Sequence, residues 1–547
     1  MQIGISIRVA AASALIVSAC SDLQEDVVVS QSAVNQTFAQ HQTACQADPR
    51  VQFGIVSLTE CIGADIFFRE NFNGNGRTCG SCHRVERNFT IDAPFIARLP
   101  PTDPLFIAEN HSDNLPLDGL EITEQLHARG LILENVDGTL PEGPTVRFVL
   151  RSVPHNLSMG TSIKRFDSFP LQPEDRTGWG GDGAPSTGTN GSGVTMTGRL
   201  ADFTMGAVNQ HFTRSLNRVA GVDFRKATEQ EGQAVATFMR QLGRLNEINI
   251  NSISFSDSGA ETGRQRFISV GCDQCHGNAG ANVGSPPANS NINTSVENAR
   301  NLDLAAFPKD GGFGVPPEGA PPMPLGQGTF DVPPLIEAAD TGPFFHTDAE
   351  VVDAPAENTS SAQTIEQATA FYNSRAFRIG IGTPLNAAEI ASIGRFLRAL
   401  NAVFNIQMAS NRIVGARNMG NVLGNVARVD RMQRRLAQMA LFELDDAVRV
   451  LSGVTNLNVA QANRVRTART RIETVAVTSG TSATAFNTRM TNLGNAFNDL
   501  DLADTEISAN ITFQIGNATR MDCADPSTNL QPGNAPCFDP QLRTLAP

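Results

Sequence analysis

The chain of 547 residues contains only one tryptophan, Trp179, and one tyrosine, Tyr372, beside 31 phenylalanines. It also lacks any long basic block: its 42 Lys and Arg residues are outnumbered by 55 Asp and Glu residues, which gives a net charge of −13. Nucleic-acid binding depends on clustered Lys and Arg side chains that neutralise phosphates, so this balance excludes nucleic acid as a partner. Because 40% of the residues are hydrophobic, wholesale disorder is excluded too, and the length has room for about two to four domains.

No stretch of the chain is apolar over the roughly 18 residues that a transmembrane helix needs. A shorter apolar run, residues 9–19, follows Arg8 and ends just before Cys20. This pattern is typical of a secretory signal, and it resembles a bacterial lipoprotein signal in which Cys20 becomes the lipid-modified N-terminus. An ordinary secretory signal with an incidental Cys20 is the alternative. We expect the mature protein in the periplasm or at the outer membrane surface, held to the membrane only through a lipid anchor.

Nine cysteines are present, and four of them belong to two Cys-x-x-Cys pairs. Apart from these and Cys20, an even number remains, as expected for disulfides in an oxidising compartment. Proximity in the sequence favours the pairs Cys45–Cys61 and Cys523–Cys537, although four cysteines allow three connectivities. Four free buried thiols are the alternative.

Each Cys-x-x-Cys pair is followed by a histidine, giving two Cys-x-x-Cys-His motifs, at residues 79–83 and 272–276. Two thiols three positions apart on a helical turn can form thioethers to the two vinyl groups of one porphyrin, and the next residue then offers an imidazole nitrogen to the iron. Roughly 0.002 such motifs are expected by chance from 9 Cys and 8 His in this length, so the signal is specific. We therefore predict two covalently bound haem c groups, with His83 and His276 as the proximal iron ligands. The residues that would hold them are Cys79, Cys82, His83, Cys272, Cys275 and His276.

A zinc site is the alternative for the same cysteines. The 189 residues between Cys82 and Cys272 do not prevent the two pairs from converging on one ion.

The rest of the chain predicts a mainly α-helical fold of two c-type cytochrome haem domains with long Gly/Pro-rich loops and a C-terminal helical bundle. Apolar periodicity predicts helices at 229–245 and 385–400, while 177–198 and 280–334 are rich in Gly, Pro and small polar residues. Ala-, Arg- and Leu-rich amphipathic stretches after 400 predict a small antiparallel bundle. The predicted divisions are a signal peptide (1–20), a flexible tether (21–50), an N-terminal haem domain (51–260), a C-terminal haem domain (261–400) and a helical tail (401–547).

Several segments around the motifs carry a specific likeness. Phe67-Phe68-Arg69-Glu70 precedes the first motif, Gly263-Arg-Gln-Arg-Phe267 precedes the second, and residues 332–336, 341–346 (Thr-Gly-Pro-Phe-Phe-His) and 364–372 follow. Together these resemble the bacterial di-haem cytochrome c peroxidase superfamily, which includes the MauG-type enzymes and, more distantly, the di-haem rubber oxygenases. The likeness covers about residues 62–400, and the tail has no counterpart that we identify.

The resemblance implies that peroxide or dioxygen reacts at the N-terminal haem, while the C-terminal haem stores and relays an electron. It also implies that a tryptophan couples them, and Trp179 in Gly-Trp-Gly-Gly-Asp-Gly is a near match to the family's aromatic-Trp-Asp-Gly stretch. A core indole is the alternative. At the sixth position of the second iron, the family pattern points to Tyr372, as in the MauG-type enzymes; a buried hydrogen-bonded phenol, or His346 as the ligand, is the alternative.

At the first haem the sequence departs from the peroxidases. Leu99 stands where they have a distal His, the nearest His being His111, and Phe203 aligns with their distal Gln, a departure similar to the rubber oxygenases. His211, on the same predicted helix as Phe203, is the candidate acid–base group, with a solvated surface His as the alternative.

The family also binds a calcium ion between the haems. Thr341 and Pro343 match two of its carbonyl ligands. Ser152 stands where the family has its Asn ligand, so the sequence supports calcium binding only in part.

These inferences favour an exported di-haem oxidoreductase that uses peroxide to oxidise a small electron-donor protein or a small-molecule reductant. A dioxygenase acting on an apolar substrate is one alternative, motivated by Phe203 and Leu99, and a non-enzymatic electron carrier is another. The scarcity of Trp and Tyr fits a site that generates strong oxidants, because Phe is harder to oxidise; compositional drift would produce the same count.

Overall fold

The computed structural model includes no helix, in the part of the chain that it describes, that is both long and apolar enough to cross a membrane. The predicted signal peptide with Cys20, together with His111, Cys523 and Cys537, lies outside the described residues. The residues described are 35–109, 120–135, 148–163, 177–179, 199–215, 217–281, 291–296, 310–312, 325–346, 350–352, 359–373 and 384–522.

The fold is mainly α-helical, as predicted, with three small sheets between the helices. The elements up to residue 300 are α1 (Phe38–Ala47), α2 (Pro49–Gln52), α3 (Leu58–Arg69), α4 (Cys79–Cys82), α5 (Ala93–Ile96), α6 (Thr123–Arg129), β1 (Leu131–Asn135), β2 (Phe148–Ser152), α7 (Met159–Ser162), α8 (Leu200–His211), α9 (Glu229–Arg240), α10 (Ser258–Ser269) and β3 (Asn291–Ile292). They are followed by β4 (Asp310–Gly312), β5 (Leu325–Asp331), β6 (Glu350–Val352), β7 (Thr359–Ser361), α11 (Ile365–Ala370), α12 (Ala387–Leu423), α13 (Ala427–Ser452), α14 (Val459–Val477) and α15 (Ala483–Ile507).

A close helix crossing precedes the first Cys-x-x-Cys-His motif. Helix α3 carries Gly63 where it meets α9, and a Cβ atom at this position would lie 2.0 Å from the carbonyl oxygen of Ala234. One turn further along each helix, Phe67 packs against Phe238 with ring centroids 5.2 Å apart. The glycine therefore allows the two backbones to approach closely enough for the aromatic side chains to seal the crossing.

The same crossing recurs before the second motif. A Cβ atom at Gly263 of α10 would lie 1.8 Å from the carbonyl oxygen of Ser392 in α12, and Phe267 packs against Phe396 with centroids 5.5 Å apart. On all four helices the contact residue and the phenylalanine are four positions apart, so they lie on one helix face. This internal repeat was missed from the sequence, because a Gly and a Phe four apart are too common to signal a repeat alone.

The predicted C-terminal helical bundle is confirmed. Helix α12 packs against α13, α13 against α14, α14 against α15, and α15 against α12, with short connections that make neighbouring helices antiparallel. However, α12 begins after the N-cap Asn386 and runs without a break to Leu423, so the boundary predicted between 400 and 401 falls inside one helix. One continuous apolar core extends from Cys45 to Met521, and the bundle shares this core with the helices around both motifs.

One of the two predicted loops needs correction. The Gly/Pro-rich segment 280–334 contains strands β3, β4 and β5, which form a three-stranded sheet in the order β3-β5-β4 with β4 parallel and β3 antiparallel to β5. The segment 177–198 is described only at 177–179. Strands β1 and β2 pair antiparallel, with Leu131 opposite Ser152 and Asn135 opposite Phe148.

The predicted flexible tether is wrong for residues 35–50, which fold onto α3. Cys45 and Cys61 form a disulfide between α1 and α3, the pairing that sequence proximity favours. His41 is buried, with Nδ1 2.8 Å from an Asp65 carboxylate oxygen and Nε2 3.2 Å from a Glu70 carboxylate oxygen. The polar composition of α1 hid this packing, because ionic and covalent contacts hold the helix in place beside the apolar contact of Phe38.

The His41 contacts predict a pH-dependent contribution to stability. Burial alone would lower the pKa of His41, but the hydrogen bonds and negative charges of Asp65 and Glu70 outweigh it, so the pKa is raised. The stabilisation is therefore complete below the unfolded-state pKa, near 6.5, and is lost as the pH rises through the folded-state pKa. We expect His41→Gln to lower the free energy of unfolding by roughly 3 kcal/mol at low pH and by less at high pH.

Urea denaturation of both proteins across the pH range checks this expectation. The exposed Gln46 on the same helix provides the control, since Gln46→Asn should change stability little at any pH. A difference between wild type and His41→Gln that grows with rising pH would contradict the proposed charge state.

Candidate functional site: two cavities that share a wall

The first motif forms a single helical turn, α4, with His83 directly after it. The Nδ1 atom of His83 lies 2.9 Å from the carbonyl oxygen of Phe89. A carbonyl only accepts hydrogen bonds, so Nδ1 carries the hydrogen and Nε2 keeps a lone pair for a ligand. Burial lowers the pKa of His83 to about 4, despite the opposing Phe89 carbonyl, and the imidazole is therefore neutral at physiological pH.

The second motif orients its histidine in the same way. The Nδ1 atom of His276 lies 2.9 Å from the carbonyl oxygen of Pro333, which leaves Nε2 with a lone pair. Burial lowers the pKa of His276 to about 4 as well. A backbone carbonyl that fixes the tautomer of an imidazole is the usual second partner of a metal-ligating histidine.

Each motif borders a cavity of its own. Cys79, Cys82 and His83 line a cavity of about 190 Å³, and Cys272, Cys275 and His276 line another of about 240 Å³. The cysteine pairs thus face different cavities, whereas one zinc site would need them to converge. Among the described residues, no group of three or more His, Cys, Asp or Glu side chains is arranged to hold a metal ion.

The two cavities share a wall. It is formed by residues 153–155, residues 331–334 and Trp179, all of which line both cavities. The indole Nε1–H of Trp179 donates a hydrogen bond to the carbonyl oxygen of Ser152, at 2.9 Å, and the Trp179 carbonyl accepts from the Asp331 N–H, also at 2.9 Å. The single tryptophan of the chain is therefore held between the cavities by one bond from its side chain and one from its backbone.

Tyr372 and His346, the two candidates for the sixth ligand at the second motif, both line the second cavity but in different surroundings. The Tyr372 hydroxyl lies 3.4 Å from Nε2 of His276. His346 is stacked on Phe330, with ring centroids 3.9 Å apart, and its Nε2 is 3.6 Å from an Asp310 carboxylate oxygen. The structure thus brings Tyr372 close to His276, while His346 lies near Asp310 without a hydrogen bond to it.

A haem iron fits this arrangement. Metal–ligand bonds to N and O are about 2 Å long, so an iron between the two side chains would need their ligand atoms about 4 Å apart, slightly more than the 3.4 Å between His276 Nε2 and the Tyr372 oxygen. Burial raises the pKa of Tyr372, and a bound cation would reverse that shift. The two thiols, the lone pair of Nε2 and the apolar cavity are together the donor set that a haem c needs.

Phe203 and His211, the two residues predicted for a distal side, lie on α8 and line the first cavity. His211 is half-buried and borders this cavity. Burial, and then the positive charges of Arg77 and Arg218, lower the pKa of His211 to about 3. Leu99, at the position of the peroxidases' distal His, is buried in an apolar cluster that packs against Cys82.

The residues of the predicted calcium site lie beside the second cavity. Thr341 and Pro343 line this cavity, and the Thr341 hydroxyl, which is not one of the predicted carbonyl ligands, donates to the carbonyl oxygen of Glu337 at 3.1 Å. The Ser152 hydroxyl donates to the carbonyl oxygen of Phe345 at 3.2 Å. The side chain that aligns with the family's Asn ligand is therefore used to tie two segments of the chain together.

Sequence reasoning missed His155 in the wall and Arg151 beside it. His155 lines both cavities, and burial, aided by the charge of Arg244, lowers its pKa to about 4. Arg151 donates from Nε to a carboxylate oxygen of Asp310, at 2.8 Å, and from Nη1 to Glu134, at 2.9 Å. No motif marks these residues; the adjacency of Arg151 to Ser152 in the family-like stretch was the only available signal.

Comparison of the chain with models of protein families, with curated proteins and with solved structures finds no match. Inferences about function therefore rest on the geometry and chemistry of the residues described above.

The Arg151–Asp310 pair predicts a large loss of stability when it is broken. Both side chains are about 1% exposed, so Arg151→Met leaves a buried carboxylate without its cation. We expect the free energy of unfolding to fall by about 3–5 kcal/mol, measured by urea denaturation. Arg464→Met, which removes an exposed pair with Glu506, is the control and should cause a much smaller loss. Equal losses in the two variants would show that the buried pair has no special structural role.

Proposed function

We propose that this chain is an exported di-haem c-type cytochrome oxidoreductase that uses peroxide, with one haem attached at each Cys-x-x-Cys-His motif and electron transfer between them through Trp179. The observation that carries the proposal is the shared wall: two cavities, each bordered by one motif, meet at the only indole of the chain. Independent structural cysteine pairs would not require such a wall. The chain thus fits the peroxidase-like reaction class that the motifs and their surroundings suggest.

Haem supplies a redox-active iron when it is bound, and the residues of the chain decide what that iron meets. His83 and His276 each offer Nε2, held in place by the carbonyls of Phe89 and Pro333. Tyr372 offers a second, anionic ligand at the second motif, and phenolate ligation favours ferric iron. The two sites therefore differ in the way that a division into an oxidant-binding site and an electron store requires.

Reduction of one hydrogen peroxide to two waters consumes two electrons and two protons. Trp179 borders both cavities, and it passes the electrons one at a time from the second cavity to the first. His211 borders the first cavity as a neutral imidazole, and it would accept a proton from peroxide bound in that cavity. With a pKa of about 3, its imidazolium form returns that proton readily to the departing oxygen.

Export is part of the proposal. The Cys45–Cys61 disulfide supports an oxidising compartment, and the apolar run before Cys20 supports secretion with lipid attachment. We place the mature protein in the periplasm or at the outer membrane surface, where a small electron-donor protein or a small-molecule reductant supplies electrons. Calcium is not required by this proposal.

A second candidate function is a dioxygenase that acts on an apolar substrate. Phe203 borders the first cavity where a peroxidase would have a polar distal side chain, and an apolar pocket gives less help to O–O cleavage. In that case the first cavity would hold both dioxygen and the substrate.

The haem content and the choice of oxidant test the proposal. We expect the mature chain to give a pyridine haemochrome spectrum for two haems per chain, and Cys79→Ala/Cys82→Ala or Cys272→Ala/Cys275→Ala to give one. Stopped-flow mixing of the reduced protein with hydrogen peroxide should then oxidise both haems, and Trp179→Phe should slow the second oxidation at least about tenfold. Absence of haem, or inertness to peroxide with dioxygen-dependent conversion of an apolar substrate, would refute the peroxidase assignment.

The identity of the second ligand gives a separate prediction. Tyr372→Phe should raise the reduction potential of the second haem by on the order of 100 mV, within the roughly 0.8 V that axial ligands span, because the variant loses an anionic ligand. Spectroelectrochemical titration measures the shift, and the first haem serves as the internal reference. His346→Gln is the matched control: if it changes the second haem's potential more than Tyr372→Phe does, His346 is the ligand.

A further inference from the structure

The two most easily oxidised aromatic side chains of the protein lie together. The chain has one Trp and one Tyr, and both pack on the same small apolar cluster, with Phe330 and Phe371 among its buried members. Trp179 borders both cavities and Tyr372 borders the second. Every other position in the sequence is free of indoles and phenols.

Phenylalanine surrounds the first motif instead. Phe67 lies 5.9 Å from the His83 ring, and it contacts Phe68, Phe89 and Phe238 with ring centroids 5.1, 6.4 and 5.2 Å apart. A benzene ring without a hydroxyl or an indole nitrogen is much harder to oxidise than Tyr or Trp. This aromatic cluster therefore packs the interior without offering intermediate sites for a migrating electron hole.

The hydrogen bond of Trp179 also restricts what happens after it loses an electron. Its Nε1–H donates to a backbone carbonyl, which cannot take up the proton. An indole oxidised by one electron therefore keeps its proton and its positive charge, and it is restored by the return of one electron. Irreversible loss of the hole by deprotonation at this bond is blocked.

The two motifs differ in their access to solvent. Gly80 and Ser81, between the cysteines of the first motif, are buried. In the second motif Gln274, between the cysteines, is exposed, whereas the four cysteines of the two motifs are all half-buried. An external reductant can therefore approach the edge of the second motif directly.

We infer that this chain confines oxidising equivalents to the wall between the cavities and releases them only to reductants that reach a cavity or the exposed edge of the second motif. The inference rests on the proposed function, and it adds that side chains of proteins bound elsewhere on the surface are not oxidised. In each cycle Trp179 gives one electron to the oxidant at the first cavity and regains one from the second, which is refilled by the reductant. Two such transfers, with two protons, convert one hydrogen peroxide into two waters.

A variant that gives an electron hole a route from the first motif to the surface tests the inference. Phe106 packs in the apolar cluster beside Cys82 and stacks on His127, with ring centroids 4.7 Å apart, and the His127 side chain is 44% exposed. Phe106→Trp therefore places an oxidisable ring between the first motif and the surface, and Phe106→Tyr does so with less added volume. Phe53→Trp, whose ring lies against Arg428 and lines neither cavity, is the matched control.

The holoproteins are mixed with hydrogen peroxide without reductant, frozen for electron paramagnetic resonance, and then digested for mass mapping of oxidised residues. In wild type and Phe53→Trp we expect the radical at Trp179 or Tyr372, with sulfoxides at Met159 and Met239, which line the first cavity. In both Phe106 variants we expect oxidation at residue 106 and about a tenfold faster oxidation of a tyrosine-containing reporter protein.

The outcomes separate this inference from the proposed function. Peroxide consumption with oxidised residues scattered over the wild-type surface would overturn confinement and leave the peroxidase function intact. Peroxide consumption by Phe106→Trp and Phe106→Tyr without oxidation at residue 106 or of the reporter would also overturn it. No peroxide consumption by a protein carrying both haems would refute the proposed function, and the inference with it.

Discussion

The hydrogen bond from the Trp179 indole to the Ser152 carbonyl oxygen holds the wall between the two cavities in place, and the candidate site depends on this wall. Ser152 ends strand β2, its N–H donates to the His346 carbonyl, and its hydroxyl donates to Phe345. One residue thus joins the strand beside the first cavity to the segment beside the second. Buried Arg151, next in the chain, adds an ion pair to Asp310. A wall held by this many directional contacts keeps the distance between the cavities constant, as the proposed electron transfer across it would require.

The same helix–helix packing arrangement occurs on both sides of the wall. Gly63 and Gly263 let α3 and α10 approach their partner helices, and a phenylalanine four residues later fills the space beside each contact. In both halves the motif follows the glycine-bearing helix, and the motif histidine is oriented by a backbone carbonyl, from nearby Phe89 in the first half and from distant Pro333 in the second. The repeat gives two similar cavities, whereas Tyr372 on one side and Phe203 and His211 on the other make them chemically different.

The C-terminal bundle is part of the same body. Helix α12 contributes Ser392 and Phe396 to the second crossing and then continues as the first helix of the bundle. Buried polar contacts extend the connection: Asn405 of α12 donates to Asp340 at 2.6 Å, and Asn88 donates to Asp446 of α13 at 2.8 Å. The bundle therefore supports the segments that carry both motifs, whatever other role its outer surface has.

The sequence by itself determined the helical class, the C-terminal bundle and the two Cys-x-x-Cys-His turns, because these follow from local periodicity and from spacing within a few residues. It also pointed to Tyr372 over His346 and to Phe203 and His211 at the first cavity. Only the tertiary structure decided that α1 is packed rather than a tether, since His41 is held by carboxylates far along the chain. The wall is likewise a tertiary property. Residues 153–155, Trp179 and residues 331–334 come from segments well separated in sequence, and no local pattern encodes which of them meet.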